Sequence, residues 1–330
     1  ETGIPVNNFV EFLPQTGGAH PATTLDLPRY QSLDAYTTDA TPTADIKHML
    51  TGKLLAIAYD SNEMVIAATY VQTPRILDSL YTAGTNDADE ALLGLEYNTS
   101  GISAHVWAPT AQQVNINIYD DNKALQSSQA MSFDNYTGIW TIDLDDGVDR
   151  QFYRYELTVY HPINQRFETI ESTDPYSVSL SSNGSYSQFV NLEDNNLKPP
   201  NWENHVIPSI VDPEDAVIYE GHIRDFSVRD ESTSVPNRGK YLAFTEQDSL
   251  PVSHLKSLAM AGLTHFQLLP ANDIASINED INRTVNLNNT VDELCAISPN
   301  ASVCGVENSG ATLLSVYQSY DPSSTSAQAL

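Results

Sequence analysis

Ala216-Val217-Ile218-Tyr219 and, further on, Thr264-His265-Phe266-Gln267-Leu268-Leu269-Pro270 are two short apolar runs. Runs of this length and bulk form buried strands. Between them, Pro251 to Ala261 places Leu255, Leu258 and Ala259 on one helical face. Gly262 follows, where a helix commonly ends in a left-handed residue. Strand, helix, strand is a βαβ unit, and it predicts a parallel sheet. The stretch from Gly221 to Pro251, with Pro236 and Gly239, reads as a polar loop.

Upstream, residues 93–200 read as all-β. Val114, Ile116 and Ile118 alternate at period two. So do Trp140, Ile142 and Leu144, and Tyr153, Tyr155, Leu157 and Val159. Turn residues separate them at Asp120-Asp121-Asn122, Asp134-Asn135 and Asp145-Asp146-Gly147. Regular short strands over about 100 residues predict an immunoglobulin-like β-sandwich. Lys198-Pro199-Pro200 marks its exit, because consecutive prolines cannot continue a ladder. Further upstream, residues 54–59 and 64–71 read as a hairpin around Asp60-Ser61-Asn62. Arg75 to Tyr81 reads as a short helix behind Pro74, and Thr82 to Glu90 as a linker. Residues 1–50 are polar and weakly periodic. The last stretch, 271–330, has no strong period, with one or two helical turns expected over Ala311–Tyr317. The expected domains are therefore 1–92, 93–200 and 201–330.

Forty-three acidic residues against fifteen basic ones give a net charge of −28. A surface this acidic repels phosphate backbones and anionic lipid, which excludes nucleic acid as a partner, while a neutral sugar is indifferent to the field. No apolar run is long enough to span a membrane. No signal peptide is visible at Glu1, as in a mature secreted chain or a cytoplasmic one. Cys295 and Cys304 are the two cysteines. Their spacing fits neither a zinc knuckle nor a redox pair, which leaves a local disulfide or two free thiols. An extracellular or cell-surface location is expected.

Val106-Trp107-Ala108-Pro109-Thr110-Ala111, Tyr153-Arg154-Tyr155-Glu156 and Thr173-Asp174-Pro175-Tyr176-Ser177 resemble phrases of a family 48 carbohydrate-binding module. Val217 to Ser227, Arg238-Gly239-Lys240-Tyr241-Leu242-Ala243-Phe244-Thr245, His254 to Pro270 and Asp273 to Glu279 follow in order. Together the phrases resemble the pullulanase-type starch-debranching enzymes of the α-amylase superfamily, over about residues 50–330. Lys53 to Tyr81 is similar to the small domain these enzymes carry ahead of the sandwich. The resemblance implies hydrolysis of α-1,6 bonds in pullulan, starch or glycogen-like α-glucans by a retaining mechanism, with no cofactor for catalysis and with structural calcium in many members. It also implies that residues 201–330 are the start of a (β/α)₈ TIM barrel. Such a barrel takes about 250 residues, more than twice the stretch from Ala216 to Leu330. No segment resembles the motif carrying the family's nucleophile, so no catalytic residue is carried over and the chain alone is expected to be inactive. The alternative is a non-catalytic α-glucan-binding or interaction protein built on the sandwich.

Trp107 and Trp140 are candidate sugar-stacking platforms, because flat apolar faces of glucose pack on aromatic rings. Their strand patterns also suit inward-facing core residues. Tyr219, Glu220, His222, Arg224, Asp225 and Pro270 mark the expected barrel start. Glu220 and Asp225 read either as a carboxylate pair facing one cleft or as part of a charge-paired rim with His222 and Arg224. Arg224 favours the rim, since a neighbouring cation lowers a carboxylate pKa. Asp143-Leu144-Asp145-Asp146 is oxygen-rich enough for calcium but reads as a solvated turn without the twelve-residue loop pattern. Tyr320-Asp321-Pro322 follows Ser319 and reads as a loop. Asn-x-Ser/Thr sequons start at Asn98, Asn135, Asn183, Asn282, Asn288 and Asn300, mostly by chance in so Asn-rich and Ser-rich a chain.

Overall fold

The structure is a computed structural model and describes residues 10–15, 33–38, 41–207, 209–272, 277–321 and 323–325. Asp273 to Ser276 and Pro322, which belong to two of the phrases above, lie outside the described residues. The chain divides into two compact units, residues 1–191 and 192–330.

The first unit opens on an antiparallel pair, β1 (Phe12–Pro14) and β2 (Tyr36–Thr38). Helix α1 (Thr43–Met49) follows, where the sequence predicts irregular structure. Seven residues are barely two turns, too few to display a period. The charge order nevertheless suits a helix, with Asp45 in the first turn and Lys47 and His48 in the last. Strands β3 (Leu55–Tyr59) and β4 (Val65–Tyr70) form the expected hairpin. The Asp60 carboxylate accepts from the amides of Asn62 and Met64 at 2.8 and 2.9 Å and so closes the turn. Helix α2 (Pro74–Tyr81) begins on its proline. Residues 82–90, read as a linker, are mostly exposed but anchored at Asp87 and Ala88. Ala88 donates its amide to the Tyr81 carbonyl at 2.9 Å, and Tyr81, Ala88 and Ile139 are buried together. The stretch looks polar because Asp87 serves the loop itself, accepting from the Gly84 amide at 2.5 Å.

The sandwich comprises β5 (Gly94–Asn98), β6 (Gly101–Trp107), β7 (Gln113–Tyr119), β8 (Leu125–Ala130), β9 (Ser132–Phe133), β10 (Ile139–Leu144), β11 (Phe152–His161), β12 (Arg166–Ser172) and β13 (Ser187–Gln188). One sheet has the order β5-β6-β10-β9 and the other β12-β11-β7-β8, with β13 also on β11. Every pairing is antiparallel. The period-two runs supply the core: Val114, Ile116 and Ile118 of β7 and Tyr153 and Tyr155 of β11 pack with Ile102, Ala104 and Val106 of β6. The register pairs Ile116 with Tyr155 and Ile118 with Tyr153, so inward residues meet across the strands. This is an immunoglobulin-like β-sandwich. The edge strand β8, Leu-Gln-Ser-Ser-Gln-Ala, is nearly all exposed, a polar edge that resists edge-to-edge pairing.

In the second unit, β14 (Ile218–Gly221) lies parallel to β15 (His265–Leu268), with Ile218 opposite His265 and Gly221 opposite Leu268. The stretch expected as a polar loop contains helix α3 (Ile223–Ser227) and a 3₁₀ turn at Tyr241–Thr245. Their apolar side chains, Phe226 and Phe244, stack at 4.0 Å with planes 5° apart, a pairing of residues too far apart in sequence to register as a period. The crossover helix is α4 (Leu250–Met260), with Val252 buried and Leu255 and Leu258 half-buried. A smaller core follows, where Val291 of α5 (Val291–Ile297), Val303 of the connection, and Leu313 and Val316 of α6 (Leu313–Ser319) are buried together. A capping box between Thr290 and Glu293 starts α5.

Candidate functional site

Trp140 is 7 % exposed and belongs to the sandwich core, its indole N–H donated to the Ala108 carbonyl at 3.0 Å. Trp107 is not in that core. Its register partner is Ile139, and it packs on the opposite face of the sheet against Tyr81, with its N–H on the Thr137 carbonyl at 3.1 Å. The alternation explains this, since Val106 points inward and its neighbour cannot. Both rings are engaged in packing, and neither is the open platform on which a pyranose stacks.

The sandwich carries a different cleft, of about 490 Å³, lined by Lys123, Phe152, Leu180, Tyr186, Gln188 and neighbouring serines. Phe152 is the first residue of β11. The β7–β8 turn is held by the Asp120 carboxylate, which accepts from the amides of Asn122 and Ala124, both at 2.9 Å. Lys123 sits in the left-handed region at φ 63° and brings its ammonium 2.9 Å from the Phe152 ring centroid. Burial lowers the Lys123 pKa, with Asp121 and Asp120 partly restoring it. Gln188 is fixed by donation to the Arg150 carbonyl at 2.9 Å and by accepting from Ser179 at 3.0 Å. Tyr186 stands edge-on to Tyr119 at 5.0 Å, and the Arg154 guanidinium lies 5.5 Å from its ring.

Behind these rings, Glu171 anchors the charges. Arg154 pairs with it at 2.9 Å, and Tyr119 and Asn117 donate to it at 2.5 and 2.8 Å. Burial opposes ionisation of Glu171, yet the hydrogen bonds from Tyr119 and Asn117 and the Arg154 charge prevail and lower its pKa. The Tyr119 hydroxyl, withdrawn from water by burial and bonded to Glu171, is pushed up to about 12. The cleft therefore offers aromatic faces, serine hydroxyls and a fixed carboxamide, with the Lys123 ammonium laid on the Phe152 ring and Arg154 already paired to Glu171. Such a lining suits a neutral, polyhydroxylated ligand. Sequence reasoning missed these residues. Their signals were local and small: a left-handed lysine in an Asp-rich turn and the Asn183-Gly184 turn.

In the second unit, Tyr219 contacts the Phe266 ring at 5.7 Å and the His254 ring at 6.4 Å. His222 caps α3, its Nδ1 accepting from the Arg224 amide at 3.1 Å. Arg224 and Asp225 make an exposed ion pair at 3.8 Å, so Asp225 faces a cation. Glu220 and Pro270 are exposed. Gly221 is required by close approach, because a Cβ there would lie 2.6 Å from the Phe266 ring. Tyr320 belongs to the smaller core and donates to Glu307 at 2.8 Å. Cys295 and Cys304 are joined by a disulfide. Among the described residues, no three His, Cys, Asp or Glu side chains converge as metal ligands. Asp143 of the oxygen-rich stretch accepts instead from Ser103 at 2.6 Å. No described helix is long and apolar enough to cross a membrane.

Residues 8–79 match the Pullulanase N2 domain, and residues 92–177 match carbohydrate-binding module 48 (isoamylase N-terminal domain). The chain is 38 % identical over 294 residues to a pullulanase of Klebsiella pneumoniae, covering 86 % of this chain and 27 % of the relative. It is 35 % identical over 238 residues to the chloroplastic pullulanase 1 of Arabidopsis thaliana, covering 72 % and 24 %. The solved maltotriose complex of PulA from Klebsiella pneumoniae superposes with a TM-score of 0.82 at 35 % identity, covering 94 % of this chain and 34 % of that one. Pullulanase from Bacillus acidopullulyticus gives 0.59 at 27 % identity, covering 80 % and 31 %. The chain thus spans about a quarter to a third of the length of the relatives it matches. With an N2 domain followed by a family 48 module, and a likeness that runs through both units, the chain belongs to the pullulanases and corresponds to their N-terminal region.

Proposed function

We propose that the chain is the N-terminal part of a debranching glycoside hydrolase that cleaves α-1,6-glucosidic bonds in pullulan, starch or glycogen-like glucans. The observation that supports this most is the 0.82 superposition on the Klebsiella enzyme at 35 % identity. In the complete enzyme the mechanism is retaining, with two carboxyl groups about 5–5.5 Å apart and a covalent glycosyl intermediate. In such barrels the chemistry sits at the C-terminal ends of several strands, and among the described residues β14 and β15 are the strands of that sheet. Both strands leave large apolar side chains in water: Ile218 is 58 % and Leu268 43 % exposed. Parallel sheets are covered on both faces in finished folds. β14, α4 and β15 are therefore read as the opening of a TIM barrel whose other βα units complete the sheet, and the chain alone is read as inactive.

The contribution of this chain is to hold α-glucan, at the Phe152–Tyr186 cleft of the sandwich. The test is affinity electrophoresis of the 330-residue chain in gels containing amylopectin. Retardation that is lost in Tyr186→Ala is the expected result. Migration unchanged by amylopectin contradicts the reading. An extracellular or cell-surface setting, which suits the Cys295–Cys304 disulfide, completes it.

A further inference from the structure

A second cleft lies within the first unit, between α1 and the sandwich. Its volume is about 510 Å³, and Tyr81, Phe133 and Trp140 contribute aromatic surface to it. That is within the range of small-molecule sites, about 300–1,000 Å³. Phe133 and Trp140 lie 4.8 Å apart, and Phe133, 39 % exposed, presents the open ring. The rest of the lining is largely polar. His48 of α1, Gln112 after β6 and Asn135 of the β9–β10 turn all line the cleft, and none of these three side chains is engaged in a hydrogen bond with another described residue. Lys47, the cleft's lysine, is already committed. Its ammonium donates to the Asn135 carbonyl at 2.5 Å and caps the Tyr81 ring at 4.1 Å. That contact ties α1 to the sandwich and fixes the width of the opening. It also withholds the Lys47 ammonium from an anionic ligand.

Two amides and an imidazole without hydrogen bonds to other described residues, lining the same cleft as the open Phe133 ring, match the alternating hydroxyls and C–H faces of a sugar. We infer that the cleft between α1 and the sandwich is a second oligosaccharide site, taking a short α-glucan segment against Phe133 with hydroxyls on His48, Gln112 and Asn135. This rests on the α-glucan reading of the sandwich but concerns a separate set of residues. The two sites would let one chain grip two stretches of a branched polymer, raising avidity without tighter individual contacts.

Isothermal titration of the 330-residue chain with maltotriose tests it. His48 and Gln112 are both exposed, so the double variant His48→Ala, Gln112→Ala is expected to keep its fold, checked by circular dichroism. Two sites per chain are expected. The double variant weakens one by about tenfold, the loss of two modest hydrogen bonds, while Tyr186→Ala abolishes the other. A single site lost in the double variant alone also supports the inference, and moves the glucan away from Tyr186. A single site lost only in Tyr186→Ala overturns the inference and leaves the glucan reading standing. No heat of binding in a folded chain overturns both.

Discussion

Tyr153 donates its phenolic hydrogen to Asp174 at 2.7 Å inside the sandwich. Asp174 is 4 % exposed, and its other oxygen accepts from the Tyr176 amide at 2.8 Å. The Asp174 amide in turn donates to the Ser187 hydroxyl at 2.9 Å. The carboxyl group of this one residue thus ties β11 to the Asp-Pro-Tyr segment, and its backbone amide ties the segment to β13.

Removing that carboxyl strands buried donors. Asp174→Ala should cost about 2–4 kcal/mol, as expected when buried partners lose their acceptor. Urea melts of the two proteins measure it.

The same residue sets a pH dependence. Burial raises the Asp174 carboxyl above its ordinary value, against the hydrogen bonds from Tyr176 and Tyr153 that lower it. A raised carboxyl pKa means the folded state holds the proton more tightly than the unfolded chain does. That stabilisation is fully present below the unfolded value of about 3.9 and is lost as pH rises through the folded pKa. The stability of the parent relative to Asp174→Asn should therefore fall across this window, which melts at a series of pH values will detect.

Gly101 sits at φ +142°, and a Cβ there would lie 2.1 Å from the Leu144 carbonyl oxygen. Gly101→Ala should destabilise the sandwich by about 2 kcal/mol or more. Gly147→Ala has open space within 4 Å and is the control, with a change of about 0.5 kcal/mol or less. Thermal melts compare them.

The Cys295–Cys304 bridge staples the small core of Val291, Val303, Leu313 and Val316. A loop this short contributes about 2–3 kcal/mol in the chain-entropy account. Reduction should raise amide exchange over α5 and α6 and leave β6, β7 and β11 unchanged, as read by hydrogen-exchange mass spectrometry.

In the same experiment on the unreduced chain, β14 and β15 should exchange faster than β7 and β11. The first pair exposes Ile218, Tyr219 and Leu268, whereas β7 and β11 share a closed core.

What could be read from residues alone followed from chemistry that repeats. Val114, Ile116 and Ile118 declare a strand because one face is buried, and Pro251 to Gly262 declares a helix between its stop signals. Helix α1 escaped because seven residues show no period, and α3 because its partner Phe244 lies eighteen positions beyond Phe226. Trp107 was misplaced to the core because its outward face is covered by Tyr81, a contact made by a different element. The aromatic cleft was illegible for the same reason, since Lys123, Phe152 and Tyr186 come together only when the β7–β8 turn, β11 and the segment before β13 are assembled.

The most direct measurement is the release of reducing ends from pullulan by the purified 330-residue chain, run beside its retention on amylopectin. The account predicts retention with no release. Release of reducing ends would contradict it, because the chain would then hold a working pair of carboxyl groups of its own.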